Sequence, residues 1–150
     1  MGKWARDEIE RAFRHYEEVV EACGKSVDWD AYVDLFTEDA EYYDEVWEPR
    51  KGREAIRDWL KQRFATYPAN QIHYFPTQWY IIDEERGWIV CEFMNRMVDP
   101  GDGSVHQVKN YTRLEYAGNN MWSLQEDQYN PAAFARMIEG WLKARGEESA

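Results

Sequence analysis

An α+β domain, with a curved antiparallel sheet packed against helices, is the fold class this sequence predicts, on three observations. Apolar residues recur at helical spacing through the first 66 or so positions, with one aromatic strand between them. The pattern then switches to alternation in four long stretches, Ile72 to Asp83, Trp88 to Val98, Val105 to Tyr116 and Met121 to Tyr129. Their connectors, DEERG, DPGDGS and AGNN, are short and rich in turn formers, which implies an antiparallel meander. Helices on one face of such a bent sheet enclose a cone-shaped barrel with an internal pocket.

In order, residues 5 to about 23 form an amphipathic helix with Ile9, Phe13, Tyr16, Val20 and Cys23 on one face, and Gly24 is its expected stop. Ser26 or Asp28 can cap a short second helix that carries Trp29 and Tyr32 and closes at Leu35 and Phe36. Glu41 to Trp47 reads as a strand, placing Tyr42 and Asp44 on one side of it. Gly52 breaks the chain, and Ile56, Trp59, Leu60 and Phe64 then mark a helix from about 53 to 66, ended by Pro68. After the meander, Asn130 caps a last helix with Pro131 at its first position and a stripe of Phe134, Met137, Ile138, Trp141 and Leu142. The tail from Ala144 is expected to fray.

The chain has 150 residues, which corresponds to one domain over 1–150, long enough to bury a substantial core. Its 18 basic and 29 acidic residues leave a net charge of −11. That argues against nucleic acid or anionic membrane as a partner, because phosphate binding needs clustered Lys and Arg. No apolar window is long enough for a membrane span, and the charged N-terminus lacks the apolar core of a signal peptide, so a cytoplasmic location is expected. A disulfide between Cys23 and Cys91 is possible in principle, but in a cytoplasmic chain two buried free thiols are expected, and nothing near them has zinc-ligand spacing. Aromatics make up 16% of the chain. They fit either a core of large rings or an apolar cavity walled by rings.

The element order, the segment LFTEDAEYYD…G-REAI and the ending WSLQEDQYNP resemble the SnoaL-like group of the nuclear-transport-factor-2-like superfamily over nearly the whole chain. Members include polyketide cyclases, ketosteroid isomerases, dehydratases and limonene-type epoxide hydrolases, so the resemblance implies a fold rather than one reaction. The epoxide-hydrolase branch uses an Asp–Arg–Asp set with a water-holding Tyr and Asn. By that resemblance the first Asp position falls on Asn95, the Arg on Phe93, the second Asp on Asp127, the Tyr on Tyr42 and the Asn on Asp44. The chain keeps one carboxylate and the Tyr and lacks the Arg, for which Arg96 reaching over an edge is one substitute.

Strand parity puts Ile89, Cys91, Phe93, Asn95 and Met97 on one face, and His106, Val108, Asn110, Thr112, Leu114 and Tyr116 on another. Asn95 and Asn110 are lone amides in apolar rows. They are candidates for pocket contacts or for structural hydrogen bonds. Asp127 is the candidate general base, because a carboxylate among rings is desolvated and its pKa rises. Asp44 is its candidate acid partner, with His73 the other choice, and Tyr42, unless exchanged with Tyr43 by parity, donates to a substrate oxygen or water. Phe93, Asn110, His73, Trp59, Tyr16 and Trp29 are candidate substrate contacts. No spacing supports a metal site, and no cofactor is expected.

These features imply a cofactor-independent acid–base enzyme acting on a small, largely apolar or aromatic molecule, of isomerase, dehydratase, cyclase or hydrolase type. The alternative is a noncatalytic small-molecule binding protein with the same cavity. The outward row of Trp88, Met94, Val98 and Tyr111 is apolar enough to predict a homodimer packed sheet to sheet.

Overall fold

The computed structural model describes residues 2–147. The fraying expected at the end of the chain falls on 148–150, outside the described residues, and on 144–147, where the last helix gives way after Ala144.

Helix α1 (Arg6–Ser26) is followed by a single turn, α2 (Asp30–Val33), then strands β1 (Phe36–Tyr43) and β2 (Arg50–Lys51) and helix α3 (Arg53–Arg63). Strands β3 (Ile72–Tyr74), β4 (Thr77–Asp83), β5 (Trp88–Met97), β6 (Gln107–Gly118) and β7 (Met121–Gln128) lead into helix α4 (Pro131–Ala144). The sheet has seven strands in the order β2-β1-β7-β6-β5-β3, with β4 also pairing β5. Strands β4 to β7 form the expected antiparallel meander. Strand β1 joins it in parallel with β7. The sheet curls into a half-barrel packed against helices, the α+β class that the periods imply.

Two apolar clusters fill the concave side. The larger unites Ile9, Phe13 and Tyr16 of α1, Tyr32 and Val33 of α2, Ile56, Trp59 and Leu60 of α3, and Phe36, Ile89, Leu114 and Trp122 of the sheet. The smaller lies under α4, where Met137, Trp141 and Leu142 meet Ile72, Met97 and Val108. Asn130 caps α4 as its sequence implies, its Oδ1 accepting from the amides of Ala132 at 2.9 Å and Ala133 at 3.3 Å. Cys23 and Cys91 are buried free thiols.

Several boundaries differ from the sequence reading, three of them for a tertiary reason; besides these, α2 ends at Val33 and β1 at Tyr43, ahead of Asp44. Gly24 does not stop α1, which ends at Val27 with φ 60°. A Cβ on Gly24 would lie 2.2 Å from the His73 carbonyl oxygen, so the glycine lets α1 press against β3. Strand β1 begins at Phe36, not Glu41, because it pairs with β7: Phe36 lies opposite Trp122, whose amide donates to the Leu35 carbonyl at 2.8 Å. The expected strand from 72 to 83 is split at Phe75-Pro76, where proline cannot donate to the ladder, and its two halves pair different parts of β5. Helix α3 ends at Arg63.

Val98 does not belong to the outward row. It packs against the cluster under α4. Trp88 is half-covered by the guanidinium of Arg113, 4.5 Å from its ring. The exposed apolar residues of the outer face are Trp79, Ile81, Val90 and Tyr111, so the patch centres on β4. Among the described residues, no helix is long and apolar enough to cross a membrane.

Candidate functional site

Strand β7 builds the centre of the site. Trp122, Gln125 and Asp127 all point inward, which strict alternation forbids. A register shift supplies the extra residue, since Glu115 pairs Leu124 while its neighbour Tyr116 pairs Trp122. The bulge turns Gln125 and Asp127 onto the concave face. There Asp127 sits opposite Thr112 of β6, and Gln125 opposite Tyr42 of β1.

Asp127 is 6% exposed and ringed by donors. Its Oδ1 accepts from the Thr112 hydroxyl at 2.6 Å and from Gln125 Nε2 at 3.0 Å, with Asn110 Nδ2 a longer contact at 3.5 Å. Its Oδ2 accepts from the Tyr42 hydroxyl. Behind this shell, Gln125 Nε2 also donates to Tyr42 at 3.1 Å, and Gln125 Oε1 accepts from Tyr16 at 2.7 Å and from Tyr32 at 2.6 Å. Asn110 Nδ2 donates to Thr112 at 2.8 Å, while its Oδ1 is buried with no partner among the described residues. One carboxylate thus organises six side chains from five elements.

Burial raises the pKa of Asp127, and hydrogen bonds from Thr112, Tyr42 and Gln125 offset only part of that rise. The charge of Asp44 adds a smaller upward push. Burial likewise holds the Tyr16, Tyr32 and Tyr42 hydroxyls protonated, with the Asp127 charge reinforcing it. Burial also pushes the Cys91 thiol up to about 12.

Asp127, Tyr42, Gln125 and Cys91 line a cavity of about 60 Å³, walled by rings that include Tyr16, Trp29, Phe75 and Phe93. This is small beside the roughly 300–1,000 Å³ of sites for drug-sized ligands. It has space for water or for the reacting end of a molecule.

Of the residues singled out from the sequence, the fold brings together Asp127, Tyr42, Asn95, Phe93, Tyr16 and Trp29 around this cavity. Tyr42 is the inward member of its pair, and Tyr43 faces out to bond Glu41 at 3.0 Å. Asn110 belongs to the network but lies behind the wall. Trp59 also lies behind it, its ring 4.9 Å from that of Tyr42. Asp44 does not line the cavity. It is held by the Val46 amide at 2.9 Å, the Tyr129 hydroxyl at 2.8 Å and Arg63 at 3.4 Å, and no hydrogen bond joins it to Asp127. His73 is elsewhere, bonded to the Asn70 carbonyl at 2.9 Å and lining a surface cleft beside Arg96. Arg96 pairs with Gln107 at 2.8 Å and does not reach the cavity. Among the described residues, no group of three or more His, Cys, Asp or Glu is placed to hold a metal ion.

Sequence reasoning missed Arg63, Gln125 and Thr112. Arg63, the last residue of α3, puts a cation in the cavity wall and pairs with Asp44. Thr112 shares the parity of Asn110 and Gln125 that of Asp127, so an alternation test extended by two residues would have found both. Helical spacing marks Arg63 only as one turn beyond Trp59.

A search of curated proteins finds no match. Solved structures match the fold at low identity. A protein of ketosteroid isomerase-like fold from Catenulispora acidiphila, in complex with trimethylamine, is 18% identical over 82% of this chain and 91% of its own, with a TM-score of 0.66. The epoxide hydrolase/cyclase-like enzyme SalBIII, of pyran ring formation in the polyether salinomycin, is 14% identical over 85% of this chain and 94% of its own, with a TM-score of 0.64. A nuclear-transport-factor-2-like protein from Anabaena variabilis is 14% identical over 87% of this chain and 95% of its own, also with a TM-score of 0.64. The match to a family model is broader in meaning than any of these: it runs from residue 3 to residue 128, and the chain belongs to the SnoaL-like domain family.

Proposed function

We propose that this protein is a cofactor-independent acid–base enzyme acting on a small, largely apolar molecule, with Asp127 as the proton acceptor. The observation that carries this reading is a buried carboxylate of raised pKa in the wall of a ring-lined cavity. A carboxylate in that state is a stronger base than one in water, because taking up a proton relieves its desolvation. Its Oδ2 has one protein donor, Tyr42, and retains a second lone pair. That oxygen takes a proton from a C–H or O–H of the bound molecule and returns it to another atom. Negative charge developing on the molecule is met by Arg63 in the same wall. Isomerisation, dehydration, cyclisation and hydrolysis all share this proton traffic.

A noncatalytic binding protein is the second reading. The observation favouring it is how fully the network is satisfied, since a rigid polar patch can also orient a ligand without reacting. Asp127→Asn separates the two. Screened against small ketones, hydroxy acids and epoxides, the enzyme loses at least about 100-fold in turnover while retaining ligand affinity. A carrier shows no turnover before or after the change, and that result overturns the catalytic reading.

A further inference from the structure

A second chamber of about 420 Å³ lies outside the cavity, between the loop after β1, helix α3 and the start of α4. Arg63 lines both spaces. We propose that this chamber binds a small aromatic carboxylate, its ring on the aromatic wall and its acid group on two arginines.

The wall consists of Trp47, Trp59, Tyr129 and Phe134. The arginines are Arg50 and Arg63, whose guanidinium carbons each lie 5.7 Å from the Trp59 ring. The chain carries 29 acidic residues against 18 basic, yet among the described residues none of those lining the chamber is acidic. Arg50 bonds the Glu48 carbonyl and makes no ion pair among the described residues. Arg63 spends one contact on Asp44 at 3.4 Å and keeps further donors. Trp59 is 4% exposed, and its indole N–H has no partner among the described residues. Two cations against one aromatic wall, with no acidic side chain among the described residues lining the chamber, call for an anionic acceptor. Trp47 is 47% exposed, so one ring stands open to the incoming molecule. The volume falls within the roughly 300–1,000 Å³ typical of ligand sites.

The inference holds whether or not Asp127 moves a proton, and its test needs no turnover. Titration with 2-naphthoate, and separately with the uncharged 2-naphthylmethanol, is followed by NMR of the indole N–H signals of Trp47 and Trp59, assigned with Trp→Phe variants. The expected result is a saturable shift of the Trp59 signal by the acid, with the alcohol at least about tenfold weaker. Arg50→Gln, at the exposed end of β2, weakens the acid about tenfold and leaves the alcohol unchanged. Equal affinity for acid and alcohol, an unchanged acid affinity in Arg50→Gln, or shifts that spare Trp59 would overturn the proposal.

Discussion

Asp127 couples the protonation of the cavity wall to the stability of the fold. Its folded pKa is raised, so the folded state holds that proton more tightly than the unfolded chain does. Stability therefore falls as pH climbs from the unfolded carboxylate pKa, about 3.9, to the folded value, and stays level above it. Asp127→Asn removes this dependence. Chemical denaturation across the acid-to-neutral range should show wild type losing stability relative to the variant as pH rises, and a difference that stays constant would mean that Asp127 is not desolvated. At this scale the sequence was legible where parity decides, as for Tyr42, Phe93 and Asn95. It was illegible where a partner decides. Nothing near Asp44 in the chain marks it as the partner of Arg63 and Tyr129, because those contacts depend on how α3 and β7 meet β1.

Among elements, the contact of α1 with β3 is the most exacting. Gly24→Ala drives a methyl to within 2.2 Å of the His73 carbonyl, and backbone on both sides cannot give way as a side chain would. The expected loss is about 1–3 kcal/mol, read from urea midpoints. An unchanged midpoint would show that α1 can slide along the sheet. An alanine here is otherwise the better helix former, so propensity alone predicts the opposite sign. Element types and order were legible from the change of hydrophobic period and from the Asn130-Pro131 cap. The early start of β1 was not, since it follows from pairing with β7, a strand distant in sequence; nor were the bulge on β7, which shows only in its register with β6, and the split at Pro76, whose two sides pair different parts of β5.

For the molecule as a whole, we propose pairing of two copies through the outer face of the sheet. Trp79, Ile81, Val90 and Tyr111 are exposed there, with Ile81 62% open. Sedimentation velocity in the micromolar range should give a dimer that Ile81→Glu converts to monomer, and a wild-type monomer would refute the pairing. The parallel union of β1 with β7 bears on how the molecule is made. Tyr42 and Asp127 stand 85 residues apart, and most of the meander lies between them. At a synthesis rate of about 5–20 residues per second, a growing chain holds Tyr42 for several seconds before its acceptor exists. Until β7 arrives, Tyr16, Tyr32 and Tyr42 have no Gln125 or Asp127 to bond, and the concave face can be only loosely closed. The network around Asp127 is thus among the last parts of the nascent chain to take shape, and a ribosome stalled ahead of residue 121 would hold helices α1 to α3 and most of the sheet without it.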